Sequence, residues 1–146
     1  MKSRIKKHIE HQDYVKVYIV DNEDLKITHF EGIIFEQSDK FVLMCDTTDF
    51  YYDGLIVLRK RDISEIKHSD NERFFKHILD SEKISDVLIQ KRAAIEFKLS
   101  SFKEMFTWIK DQKRPIIVEC KYDKDDRFQI GQIFCVITFP CITFLR

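Results

Sequence analysis

Between residues 14 and 66 the chain alternates short apolar segments with polar turns, and this pattern constrains the fold more than any other feature. Tyr14 to Val20 alternates apolar and polar residues with a period of two, which is typical of a strand with one buried face. Four further segments of strand type follow, at 27–35, 41–45, 55–58 and 63–66. Gly32 lies inside the second segment, where a glycine marks a bulge or a sharp bend. Five short strands with one bend predict a small, strongly bent β-barrel, preceded by a short helix over residues 2–11.

From residue 70 the apolar spacing changes to that of helices. Asp70 is expected to cap the first of them, because apolar residues follow it at helical intervals. Residues 84–99 fit two patterns, since their first part can continue a helix whereas Ala94 to Leu99 alternates like a strand. Ser101 and Glu104 form a capping box ahead of a strongly amphipathic segment, which predicts the clearest helix of the chain.

The segment after this helix repeats the order of the first unit, with a strand, a turn, a glycine-containing strand and a further strand. Gly131 lies 99 positions after Gly32, and Ile116 lies 99 positions after Val17. We interpret this as an incomplete second copy, with chance similarity between apolar strands as the alternative. The third strand of that copy, at 140–145, would be an apolar edge, and we expect it to pair with the first unit, another copy of the chain or a partner protein.

The sequence therefore predicts a strand-rich α+β protein in three parts. A small, bent five-stranded β-barrel with a short N-terminal helix occupies residues 1–68, and a mostly helical connector occupies 69–100. Residues 101–146 form a helix and three strands, the incomplete repeat of the first unit.

Composition argues against several classes of function. The 25 basic and 25 acidic residues balance to a net charge of zero, which argues against a whole-surface field for nucleic acid or an anionic membrane. The four cysteines form no C-x-x-C pair, so reduced thiols in a cytoplasmic protein are expected. The longest apolar stretch, Ile133 to Leu145, is too short to span a bilayer, and no membrane partner is predicted.

Motifs of catalysis and cofactor binding are missing from the sequence. Three scattered glycines exclude a P-loop and a dinucleotide fingerprint. His8 and His11 lie one helical turn apart, close enough to share a metal ion, but no third ligand stands nearby in the sequence. We therefore expect these histidines on a surface face of the helix, and we predict no metal, no cofactor and no catalytic residue.

A set of residues around the third and fifth strands carries a resemblance to a known family. Its members are Gly32, Asp39, Phe41, Val42, Lys60, Arg61, Ile63 and Ser64. The set resembles the core of the Sm-like barrels, in particular their bacterial Hfq-like branch, and covers mainly residues 27–66. The connection between the third and fourth strands is longer here than in that family, and a tandem partial copy is not its plain ring-forming subunit.

The resemblance implies RNA binding, in which Phe41 would stack on a base while Lys40, Lys60 and Arg61 contact phosphates. The alternative is that Phe41 belongs to the core and that the basic run at 59–61 is a solvated hairpin.

Two apolar sets are candidates for protein contacts. Phe50, Tyr51 and Tyr52 lie together in the loop before the fourth strand, and aromatic loop residues are frequent anchors of binding surfaces. Ile142 and Phe144 lie on the C-terminal strand. The leading hypothesis is a non-enzymatic interaction module that acts through protein contacts. An RNA-binding Sm-like protein and an enzyme with a dispersed site are the alternatives.

Overall fold

The computed structural model describes residues 2–20, 27–47, 52–93, 95–120 and 127–133. The chain divides into two compact units, Met1–Glu96 and Phe97–Arg146. Helices and antiparallel strands both occur, which confirms the α+β class.

The first unit contains three helices and five strands. Helix α1 spans Lys2–His11, and the strands are β1 (Tyr14–Val20), β2 (Ile27–Gln37), β3 (Phe41–Asp46), β4 (Gly54–Arg59) and β5 (Ile63–Lys67). A 3₁₀ turn at Lys60–Asp62 joins the last two strands, and helices α2 (Asp70–Ser81) and α3 (Ile84–Ala93) follow. The predicted helix and all five predicted strands are present in this unit, with strand ends that differ by up to two residues.

The five strands form one antiparallel sheet in the order β4-β3-β2-β1-β5. Within the described residues this sheet is not closed into a barrel, because β4 and β5 lie at opposite edges and do not pair with each other. The expectation of a barrel is wrong in this respect. The apolar pattern predicts five strands but not their order, and closure requires the strands at the two ends of that order to pair with each other.

Strand β3 is buried on both faces of the sheet. On one face, Val42 and Met44 join a core to which α1 contributes Ile5. On the other face, Cys45 packs in a cluster with Leu88 of α3. The continuous apolar run of β3 therefore reflects helices that cover opposite faces of the sheet, whereas the alternating β1 has one such face.

Gly32 marks the closest approach between β2 and β3. Its φ is +154°, and a Cβ atom at this position would lie 1.8 Å from the backbone oxygen of Cys45. The neighbouring backbone cannot yield as a flexible side chain would, so only glycine fits here. The strand irregularity expected at Gly32 lies instead between Ile34 and Glu36, where the register of β2 against β3 shifts.

The helices that follow the sheet differ in two details from the expectation. Ser69, not Asp70, is the N-cap of α2, and the Glu72 carboxylate accepts hydrogen bonds from the Ser69 backbone N–H at 2.7 Å and from its hydroxyl at 2.5 Å. Residues 84–93 form helix α3, and residues 95–99 lie outside regular secondary structure. The strand alternative for Ala94 to Leu99 is therefore wrong.

The second unit contains helix α4 (Phe102–Asp111) and a hairpin of strands β6 (Pro115–Cys120) and β7 (Arg127–Gln132). The Ser101 hydroxyl accepts a hydrogen bond from the Glu104 backbone N–H at 3.2 Å, which confirms Ser101 as the N-cap. Among the described contacts the Glu104 side chain does not return the second bond of the predicted capping box. Met105 and Ile109 are the buried residues of this helix. The predicted third strand at 140–145 lies outside the described residues.

The two glycine-containing hairpins differ in register. In the first, Val17 pairs with Phe30. A constant offset of 99 positions would pair Ile116 with Gln129, but Ile116 pairs with Gly131, two residues further along β7. Nothing among the described atoms lies within 4 Å of a Cβ added at Gly131. Among the described residues the second hairpin therefore has no counterpart of the Gly32 contact, and the offset that suggested the repeat does not hold across both strands.

In the described part of the chain, no helix combines the length and the apolar character needed to cross a membrane.

Candidate functional site

The basic residues singled out by the resemblance lie near one end of the sheet. Lys60 donates its backbone N–H to the backbone oxygen of Lys40 at 2.8 Å, so the hairpin geometry brings these two lysines together. Lys40 is exposed, whereas the Lys60 ammonium is half-buried and donates to the Gln37 side chain at 2.5 Å. Arg61 is exposed and lies 3.6 Å from the Asp62 carboxylate. These three cations form what we call the basic corner.

Acidic and basic neighbours moderate the field of the basic corner. Burial lowers the pKa of Lys60, the nearby Lys2 ammonium lowers it further, and the Asp39 carboxylate opposes both effects. Lys2 and Asp39 form an exposed ion pair at 2.8 Å across the same region. The corner therefore carries local positive charge without the continuous basic stripe of a strong nucleic-acid binder.

Phe41 is only 2% exposed. Base stacking needs an accessible ring face, and the ring of Phe41 is inside the sheet structure. The alternative that placed Phe41 in the core fits this burial. Any RNA contact at the basic corner would then depend on phosphates alone.

The aromatic loop is described only at its end. Tyr52 is 37% exposed, and the Lys91 ammonium lies 4.4 Å from the centroid of its ring. This cation–π contact joins the approach to β4 with helix α3. Phe50 and Tyr51 lie outside the described residues, as do the C-terminal candidates Ile142 and Phe144.

The two edges of the sheet differ in chemistry. Strand β4 is apolar from Leu55 through Leu58, with neither charge nor proline in that run. Strand β5 instead exposes Ser64, Glu65 and Lys67. Charged side chains on an edge discourage pairing with another strand, whereas an uncharged apolar edge is a template for it. Within the described part of the chain, no strand pairs with the outer side of β4.

The direction of the β4 amides follows from one hydrogen bond. The Lys60 N–H donates to Lys40 O in the register of the β3–β4 ladder. Bonded pairs alternate along an antiparallel ladder, so the N–H of Leu58 points toward β3. The N–H groups of Leu55 and Val57 then point toward the open edge. The backbone carbonyl oxygens of a strand placed along β4 would accept hydrogen bonds from both N–H groups.

A third group, which we call the His–Asp cluster, consists of His8, Asp13 and His68. Each residue offers one atom able to bind a metal ion, and these atoms lie within 4.8 Å of one another. His8 Nδ1 lies 2.8 Å from an Asp13 carboxylate oxygen, and His68 Nε2 lies 3.9 Å from the other oxygen. The cluster joins the last turn of α1, the link to β1 and the segment after β5.

The sequence predicted that both His8 and His11 lie on a surface face of α1, and for His8 this is wrong. His11 is exposed as expected, whereas His8 is only 6% exposed and faces Asp13 and His68. The pairing of Asp13 with His8 could have been predicted from the sequence, because Asp13 lies only five residues after His8, just beyond the end of the helix. His68 carried none, since only the β1–β5 pairing brings it beside the first helix.

Cys45 is not a candidate nucleophile. Its thiol is buried, and burial raises its pKa to about 12, with the nearby Asp46 carboxylate adding to the effect. The thiolate is the reactive form of cysteine, so Cys45 serves as a small apolar core residue.

Comparison with known proteins found no matching family model, no matching curated protein and no matching solved structure. The function must therefore be argued from the geometry above.

Proposed function

We propose that this protein is a non-enzymatic interaction module whose first unit is an Sm-like sheet that binds an extended protein segment along β4. The observation that carries the proposal is the contrast between the two sheet edges. Leu55 to Leu58 form an uncharged apolar run of the edge strand β4, which ends at Arg59, whereas the opposite edge exposes Glu65 and Lys67. Natural proteins protect edges that must not pair, and here only one of the two is protected in that way.

Strand addition supplies both affinity and selectivity at such an edge. The outward N–H groups of Leu55 and Val57 would bond the incoming backbone, and the half-buried side chains beside them would receive alternate residues. Tyr52 lies at the start of β4 and adds a partly exposed aromatic ring to the same region.

The apolar C-terminal segment at 140–145 is the first occupant to test. It contains Ile142 and Phe144 at alternate positions, which suits a strand that places both on one face. The proposed occupant is this segment from a second copy of the chain, and pairing within one chain is the alternative that the experiments separate.

The test combines a blocked edge with a matched control. Val57→Pro removes one outward N–H, and proline is tolerated on the outer side of an edge strand. Val57→Thr keeps the N–H and the β-branched shape. Sedimentation velocity over a range of concentrations should show self-association for the wild type and Val57→Thr, and its loss in Val57→Pro. Association that persists in a folded Val57→Pro chain would place the interface elsewhere.

RNA binding at the basic corner is the second candidate, because the backbone bond between Lys40 and Lys60 brings two cations together beside Arg61. Filter binding with single-stranded RNA at low salt tests it, with the double substitution Lys60→Glu and Arg61→Glu as the comparison. A phosphate site predicts wild-type affinity that falls with salt and with the charge reversal. Absent wild-type binding, or binding unchanged by the reversal, removes this candidate.

A further inference from the structure

We propose that the His–Asp cluster binds one divalent transition-metal ion of the zinc class, through His8, Asp13 and His68. This inference is independent of the β4 edge. Two imidazoles and one carboxylate are a ligand set that zinc accepts, with a fourth position left for water or another ligand.

The first argument concerns distance. Ligand atoms in a tetrahedral zinc site lie roughly 3.3 Å apart, since each is about 2.0–2.1 Å from the ion. Within the cluster all three ligand atoms lie within 4.8 Å of one another, and the Asp13 oxygens lie 2.8 Å from His8 Nδ1 and 3.9 Å from His68 Nε2. Modest side-chain rotations therefore bring the three onto one ion without moving the backbone.

The second argument concerns the tautomer of His68. Its Nδ1 lies 3.0 Å from the backbone oxygen of Tyr14. A carbonyl oxygen only accepts, so Nδ1 carries the proton and Nε2 of the neutral ring has a lone pair. This arrangement, a ring N–H held by a backbone carbonyl, is the usual support for a histidine that binds metal through its other nitrogen.

The third argument concerns the gap between His68 and Asp13. The Nε2 lone pair faces the Asp13 carboxylate, and two electron-rich atoms attract each other only through a positive group between them. A proton would draw them to about 2.7–2.9 Å in a charge-assisted hydrogen bond. The observed separation of 3.9 Å is too long for that bond and leaves room for a cation. The 2.8 Å between His8 Nδ1 and Asp13 is itself a hydrogen bond, so binding of the ion would displace the proton on His8 Nδ1.

The position of the cluster defines what the ion would do. His8 lies in the last turn of helix α1, Asp13 precedes β1 and His68 follows β5, so one ion would join the first helix to the end of the sheet. Ions that bind only the folded state stabilise it in proportion to their affinity and concentration. The side chains of Asp13 and His68 are 18% and 20% exposed, which leaves a path for the ion and room for a fourth ligand.

The test uses the full chain without a polyhistidine tag, reduced and freed of metal by a chelator. Isothermal titration with Zn²⁺ should show one ion per chain, and Zn²⁺ should raise the unfolding temperature. His68→Gln and Asp13→Asn should each weaken binding by about 10-fold or more. His11→Gln is the matched control, because it removes an exposed histidine of the same helix and should leave binding unchanged.

Cadmium NMR of the wild type provides a readout that does not depend on variant folding. Nitrogen and oxygen ligands, rather than sulfur, are expected from the shift of the bound ion. The absence of stoichiometric binding overturns the proposal. In that case His68 and Asp13 are joined by a proton and not by a metal ion. A sulfur-type shift, or affinity that is unchanged in folded His68→Gln and Asp13→Asn chains, overturns it equally.

Discussion

The hairpins β1–β2 and β6–β7 have similar sequences but different structural settings. Each has a glycine in its second strand, at positions 32 and 131, with apolar residues in strand alternation around it. Gly32 is held against the backbone of β3 in a five-stranded sheet, whereas Gly131 lies in a described sheet of two strands with open space beside its Cα. The comparison shows that a glycine in a strand becomes obligatory only when a third strand passes close to it.

The side chains around the glycines differ in the same way. Ile33 on β2 is fully buried, whereas Ile130 on β7 is 68% exposed. Its cross-strand partner Ile117 is 61% exposed as well. Isolated two-stranded hairpins are marginal in stability, so most of the free energy that stabilises the described fold comes from the first sheet.

The largest expected effect comes from adding one methyl group to each glycine. Gly32→Ala should lower the free energy of unfolding by about 4 kcal/mol or more, because a Cβ meets the Cys45 backbone and φ is unfavourable for alanine. Gly131→Ala should change it by less than about 0.5 kcal/mol. Urea unfolding followed by circular dichroism measures both. Equal effects at the two positions would show that Gly131 is packed as closely as Gly32, which would support a structural repeat.

A smaller difference is expected from truncating the neighbouring isoleucines. Ile33→Ala should cost about 3 kcal/mol, because it leaves a cavity in the cluster that α3 covers. Ile130→Ala should be close to neutral, since its side chain is largely exposed. A cost at Ile130 comparable to that at Ile33 would mean that the second hairpin is covered in solution.

The smallest effect concerns the helix caps of the two units. Burial would raise the pKa of Glu72, but the hydrogen bonds from Ser69 outweigh it, and the pKa is lowered below its ordinary value of 4.5. A carboxyl whose pKa is lowered on folding stabilises the protein above its ordinary pKa and loses that contribution as the pH falls. Glu72→Gln should cost about 1 kcal/mol at neutral pH, and the cost should diminish as the pH falls below 4.5.

Glu104→Gln is the matched control for this cap. The bond at the start of α4 uses the Glu104 backbone N–H and the Ser101 hydroxyl, so the substitution keeps it. Stability should change by less than about 0.5 kcal/mol. Urea unfolding at several pH values compares the two variants, and a cost for Glu72→Gln that does not vary with pH would contradict the assigned role of its carboxylate.

Local pattern was sufficient to predict most of the first unit. The period of two located β1, and the apolar run located β3, because each reflects which faces of a strand are buried. The cap at Ser69 was placed one residue late, since Asp70 is also a good cap and only the Glu72 hydrogen bonds decide between them. The open sheet was missed because closure depends on how strongly the strands coil, which their apolar pattern does not encode.

Long-range juxtaposition explains what the sequence could not reveal about the sites. His8 and His68 lie 60 residues apart, and only the pairing of β1 with β5 brings them together. The basic corner was partly predictable, since Lys40 and Lys60 flank the β3–β4 hairpin in register. Because Phe41 is buried, it belongs to the apolar core and not to the basic corner beside it.

Residue-resolved amide exchange along β4 tests the central claim most directly. The N–H groups of Leu55 and Val57 point to the open edge, and that of Leu58 points to β3. If the edge receives an extended segment, the outward amides are as protected as Leu58 in the associated state. Protection at every concentration indicates pairing within one chain, and protection that grows with concentration indicates pairing between chains. Outward amides that exchange freely at all concentrations, beside a protected Leu58, would contradict the pairing of β4 with the C-terminal segment.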